Sequence, residues 1–258
     1  MDGRWAHVRE QTRAHLKDPL FQPVFGLDTG AYRRRVTQQT HALAATGGPQ
    51  LGFPKAYGGG GDVGGSVTAF ETLAFGDLSL LVKSGVQWGL FGGAILHLGT
   101  ERHHQRYLKP VMSFELPGCF AMTETGHGSD VQSVRTTATY DPIKDTFVIN
   151  TPDDDARKDY IGNAAHDGRA AVVFAQLLTG GRSHGVHAFL VPLRDQQGRA
   201  LPGIRLEDCG HKAGLNGVDN GRIWFNDVVV QRDALLNRYG DLSDDGTYTS
   251  PIENETGR

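Results

Sequence analysis

At 258 residues the chain is long enough for one large domain or two small ones. Its formal net charge of -3, from 26 basic and 29 acidic residues, lacks the basic footprint of a nucleic-acid-binding protein. Two distant cysteines, Cys119 and Cys209, form no C-x-x-C pair, which argues for a reducing compartment and against a disulfide framework.

The N-terminus, MDGRWAHVREQTRAHL, alternates charged and apolar residues and contains no apolar signal segment. Trp5, Val8 and Leu16 fall at near-helical spacing, which predicts a helix over Arg4 to Leu16. A second helix is expected from Ala31 to Leu43 after Gly30, and a third from Ser66 to Phe75 with Ser66 as N-cap. Between them, Gly47 to Gly65 holds nine glycines, each of which loses much backbone freedom on ordering. That stretch reads either as a flexible surface loop or as a wall where backbone meets a bulky ligand. Leu80 to Leu98 is the most apolar run. Lys83, Gln87 and His97 interrupt it, and its four glycines permit close packing, so it reads as a buried helix and not a membrane span. Thr100 is the expected cap of a further helix, with Glu101 suited to its first turn.

After Pro117 the period shifts from helical to two. Arg135 to Asn150 reads as a hairpin turning at Asp141-Pro142, and Ala171 to Leu178 is expected to pair with Val186 to Leu193. GIRLEDCG and GRIWFNDVVV add two strands beyond the Asn216-Gly217 and Asn220-Gly221 turn signals. The resulting expectation is an α+β chain: a helical domain over residues 1–115, a small antiparallel β-barrel over 116–238, and a polar linker or tail over 239–258.

The stretch CFAMTETGHGSDV, Cys119 to Val131, turns abruptly from apolar to small and polar residues. Gly126, Gly128 and Ser129 would let consecutive N–H groups converge on an anion, and a plain turn fits the same residues equally well. Neither phosphate motif, G-x-x-x-x-G-K-[ST] or strand-linked G-x-G-x-x-G, is present, and His127 reads as a turn residue. His103 and His104 point apart on one helix, and His184 and His187 have no third ligand nearby, so no metal site is expected.

Taken together, CFAMTETGHGSDVQSVRTTATYDP, FVINTP, IGNAA, VVFAQL, GVHAFLVPLRD and CGHKAGLNGVDNGRIWFNDV occur in an order that resembles the acyl-CoA oxidase family, within the acyl-CoA dehydrogenase superfamily of flavoproteins. LGFPKAYGGGGDVGGS and VQWGLFGGAILHLGTERH fit that family's N-terminal helical domain. The resemblance implies FAD as cofactor and a fatty acyl-CoA as substrate. It places Met122, Thr123, Gly128, Ser129, Tyr160 and Gly162 at the cofactor, with Thr123 bonded to the flavin and the Gly162 backbone packed on it. Glu124 and Ser129 would face the substrate. The implied reaction is α,β-dehydrogenation to a 2-enoyl-CoA, with a carboxylate removing the α-proton, hydride passing to the flavin, and O2 returning as H2O2. The family's base is a glutamate of a C-terminal helical bundle that also completes the FAD site and a homodimer, so no catalytic residue is assigned within this chain. Asp159 stands where the family often has an aromatic residue. Two alternatives are an acyl-CoA dehydrogenase passing electrons to an electron-transfer flavoprotein, and a non-catalytic flavin- or acyl-CoA-binding subunit. The expected compartment is a bacterial cytoplasm, or a peroxisome in a eukaryote.

Overall fold

The computed structural model describes residues 3–252. Six helices come first: α1 (Ala6–His15), α2 (Thr29–Ala45), α3 (Val63–Leu73), α4 (Leu78–Ser84), α5 (Gly93–Leu98) and α6 (Glu101–Met112). Helix α4 runs through a π-helical segment, Gly85–Gly92, directly into α5. Side-chain caps set the starts, because the first turn of a helix leaves N–H groups without intrahelical partners. Asp28 accepts from the Ala31 amide at 2.8 Å, and Asp77 from that of Ser79 at 2.8 Å. Helix α3 starts earlier than its expected Ser66 cap, because Asp62 accepts from the Gly65 amide at 2.9 Å. Gly64 lies inside that helix because a Cβ there would come within 2.0 Å of the Trp5 indole. No helix among the described residues is long and apolar enough to cross a membrane.

The glycine-rich stretch is neither loose nor regular. Gly60, Gly61 and Asp62 donate their amides back to Gln50, Phe53 and Leu51, and a Cβ at Gly59 would sit 2.2 Å from the Phe53 carbonyl oxygen.

Beyond α6 the described residues form eleven strands: β1 (Gly118–Ala121), β2 (Thr137–Asp141), β3 (Thr146–Asn150), β4 (Lys158–Ile161), β5 (Ala170–Thr179), β6 (Arg182–Pro192), β7 (Ile204–Asp208), β8 (Gly221–Phe225), β9 (Val228–Gln231), β10 (Asp241–Leu242) and β11 (Tyr248–Thr249). The two expected hairpins, β2–β3 and β5–β6, are present and antiparallel. The six-stranded sheet is nevertheless mixed. Strands β1 and β2 both run parallel to β5, end to end along one side of it. A three-stranded sheet, β4-β8-β7, shares its apolar core.

Strand β5 explains how the helical and sheet regions join. Ala171, Val173, Ala175 and Leu177 point into the sheet core, while Ala170, Val172 and Phe174 pack among the helices. A strand covered on both faces reads as a continuous apolar run, as AAVVFAQLL does. The polar tail reading changes: Tyr239 to Ile252 carries the β10–β11 hairpin, with Leu242 in the sheet core and the Thr179 hydroxyl bonded to the Gly246 carbonyl at 2.8 Å. Residues 253–258 of that stretch lie outside the described residues.

Candidate cofactor and substrate site

The sequence-nominated residues come from two stretches that the fold sets side by side. One leaves the end of β1 as Met122-Thr123-Glu124. The other is β4 and its turn, Lys158 to Gly162. Thr123 and Asp159 exchange bonds: the Asp159 amide donates to the Thr123 carbonyl at 3.1 Å, and the Thr123 hydroxyl to the Asp159 carbonyl at 3.0 Å. Met122 and Thr123 are half-buried, whereas Tyr160 is 63% exposed and takes a left-handed backbone at φ 59°. Asn163 is left-handed too, at φ 68°. Two such non-glycine residues in one short turn are a costly arrangement, of a kind that clusters at ligand sites.

Gly162 meets the helical region. A Cβ there would lie 2.7 Å from Val86 Cγ2, in the π-helical segment, so this position has room only for glycine. From below, the buried Lys83 ammonium of α4 holds the same turn. It donates to Asn163 Oδ1 at 2.7 Å, Asp167 Oδ2 at 2.6 Å and Asp219 Oδ1 at 2.9 Å. Asp219 in turn accepts the His166 and Asp167 amides at 2.8 and 3.0 Å.

The anion cradle is narrower than its sequence suggests. The Gly126 amide donates to the Asp155 carbonyl at 2.8 Å, and Glu124 and His127 close a tight turn on each other's backbone. Gly128 and Ser129 are exposed, and among the described residues their amides have no partner. A Cβ at Gly128 would meet nothing within 4 Å. These two positions leave their N–H groups open, whereas the Gly126 N–H is already used.

The Glu124 side chain, expected at the substrate, points inward. Its carboxylate is fully buried against Lys158, with Oε1 3.0 Å from Nζ. It also accepts the Thr136 amide at 2.9 Å, the Thr136 hydroxyl at 2.6 Å and the Arg135 amide at 2.7 Å. Burial alone would raise its pKa, but the Lys158 charge and these donors outweigh burial and hold it below the ordinary carboxylate range. Such a group stays ionised, and its side chain is wholly buried. Sequence reasoning missed Lys158, Lys83 and Val86. Only Lys83 carried a signal, as a charge inside an apolar run.

An apolar cleft of about 540 Å³ opens beside the π-helical segment, lined by Val8, Leu43, Phe53, Phe70, Gly85, Trp88 and Gly89 among others. Its size falls within the ~300–1,000 Å³ typical of small-molecule sites. Gly85 lines it, and the next residue, Val86, is the one that touches Gly162. The π-helical segment thus reaches both the cleft and the turn, although no residue of the turn lines the cleft.

Residues 7–115 match the acyl-CoA dehydrogenase N-terminal domain, and residues 119–228 the middle domain of the same family. Peroxisomal acyl-coenzyme A oxidase 2 of Arabidopsis thaliana is 52% identical over 189 residues, which is 70% of this chain and 27% of that protein. Human peroxisomal acyl-coenzyme A oxidase 3 is 42% identical over 185 residues, 71% of this chain and 26% of that one. The chain thus spans about a quarter of the length of these relatives. Acyl-CoA oxidase 1 of Yarrowia lipolytica superposes with a TM-score of 0.86 at 30% identity, covering 96% of this chain and 36% of that one. Acyl-CoA oxidase-1 of Caenorhabditis elegans, in complex with FAD and ATP, gives 0.77 at 28% identity, covering 96% and 37%. Two adjoining segments of one family, on a fold shared with acyl-CoA oxidases, show that the chain belongs to the acyl-CoA dehydrogenase family, with acyl-CoA oxidases as its matched relatives.

Proposed function

We propose that this chain forms the flavin-facing part of an FAD-dependent acyl-CoA oxidase, with residues 1–115 as its helical domain and 116–238, joined by the β10–β11 hairpin, as its sheet domain. The observation that carries the reading is the edge made by the half-buried Met122, Thr123 and Gly162 together with the exposed Tyr160. Two open amides, those of Gly128 and Ser129, follow it in the chain, and the helical region carries a separate apolar cleft of about 540 Å³. The Gly128 and Ser129 amides would hold a phosphate of the cofactor or of the CoA thioester. Thr123 and the backbone at Gly162 would border the isoalloxazine ring, and the cleft would exclude water from a fatty acyl chain. Bound FAD would supply hydride acceptance and reoxidation by O2. The chain's own contribution is orientation, since Glu124 is held ionised in a closed pair and offers no base. The base, and the contacts that complete a homodimer, are assigned to a further helical domain. An oxidase is favoured over a dehydrogenase because the matched relatives bear that name, and several are called peroxisomal, the compartment expected in a eukaryote.

The test is a gel-filtration run of the purified chain with FAD, followed by the visible spectrum of the protein peak. Flavin that travels with the chain, and is lost in Ser129→Pro, supports the reading. A colourless peak overturns the claim that these residues hold the cofactor themselves.

A further inference from the structure

Where β1 and β2 lie end to end along β5, a gap opens between their registers. Ala121 pairs with Val173, and Thr137 pairs with Gln176, so Phe174 lies opposite neither strand. The carbonyl of Phe174 is instead taken by the Lys158 ammonium at 2.7 Å. The same ammonium donates to the Met122 carbonyl at 3.0 Å and to Glu124 Oε1 at 3.0 Å, which uses all three of its donors. Lys158 and Glu124 are also partners in an isolated antiparallel bridge, and both side chains are wholly buried.

Thr123 sits between the two residues this ammonium grips. Pinning Met122 by its carbonyl and Glu124 by its carboxylate from behind leaves the intervening residue one orientation. Asp159 and Tyr160 follow Lys158 directly in the chain, so movement of the ammonium's own backbone carries the second stretch with it. We propose that Lys158 is a positioning residue for the cofactor edge: one buried ammonium sets Thr123 and the Asp159–Gly162 turn in fixed register. The inference rests on the flavin reading above for what the edge faces, but not for how it is held.

Removing only the lysine strands a buried carboxylate, so the informative variant removes both charges. A buried ion pair replaced as a unit is often close to neutral for stability. Lys158→Met/Glu124→Gln is therefore expected to fold, and Lys158→Met alone to be the less stable of the two. Hydrogen exchange read by mass spectrometry should rise at least tenfold in peptides over 122–125 and 159–163 of the double variant. Peptides over the β5–β6 hairpin should match the wild type. In parallel, FAD titration should give at least a tenfold weaker affinity than the wild-type chain.

Wild-type protection at both stretches of a folded double variant would sink the proposal. So would loosened stretches with unchanged FAD affinity. A double variant that cannot fold also overturns it, because the pair would then be a determinant of the whole sheet and not of the edge. If the wild-type chain takes up no FAD, the functional reading fails on its own, and the exchange data still decide whether Lys158 sets the edge.

Discussion

Two fully buried lysines hold the candidate site, and they are buried in different company. Lys83 crosses from the helical region into the sheet region and meets two carboxylates, Asp167 and Asp219, with Asn163 completing its donors. Lys158 stays within the sheet region and meets one carboxylate, Glu124, and two carbonyls. Burial pulls both ammonium groups toward neutrality. At Lys83 the two carboxylates overcome it and the pKa is raised. At Lys158 burial wins over the single Glu124 and pushes it down to about 8. The number of carboxylates, not the depth of burial, separates the two sites.

The largest expected effect comes from removing the lysine that neutralises more charge. Lys83→Met leaves Asp167 and Asp219 facing each other without a counter-ion, and should cost about 3–5 kcal/mol of folding stability. Urea denaturation measures this, and adding Asp219→Asn should restore part of the loss. A cost below about 1 kcal/mol would mean the seam does not depend on the ion cluster. Next in size is the titration difference itself. In a 13C-lysine NMR titration, Lys158 is expected to change near pH 8 while Lys83 stays charged past its ordinary value of about 10.4. Coincident titrations would break the comparison.

The smallest effect belongs to the half-exposed tie between the same two regions. Arg33 of α2 bonds Asp208 of β7, NH2 to Oδ1 at 2.9 Å, and lowers the Asp208 pKa to about 2. A depressed carboxyl contributes stability above its ordinary pKa and loses it as pH falls through the folded value. The wild type should therefore lose stability between about pH 4 and pH 2 that Asp208→Asn does not lose. Because the Asp208 side chain is 43% exposed, solvent screening keeps the difference below about 1 kcal/mol. An equal acid response in both proteins would remove this pair from the seam.

The elements were legible where a local pattern decides them. The two hairpins follow from alternation and turn residues, and α6 from its Thr100 cap, whereas the Asp28 cap that starts α2 two residues before the expected Ala31 was not read. The start of α3 was misplaced because glycines that look loop-forming, Gly64 and Gly65, are there to admit Trp5 and the Asp62 cap. The β10–β11 hairpin was hidden by its composition, since Leu242 and Tyr248 are nearly all it offers the core. At the site, motifs brought the right stretches to notice but not their orientation. Glu124 faces inward because Lys158, thirty-four positions away in sequence, is the partner that stabilises it. Lys83 finds its acceptors 80 to 136 positions away, at separations no sequence window spans.

Strand β5 also has a consequence in time. Its partnership with β6 closes across a turn at Gly180-Gly181, whereas 28 residues separate it from β2 and 48 from β1. Short closures form faster than long ones, so the β5–β6 hairpin is a natural early template. The gap opposite Phe174, and with it the seat for the Lys158 ammonium, exists only once both parallel strands have docked. The edge made by Thr123 and the Asp159–Gly162 turn would then be among the last parts of this chain to take shape.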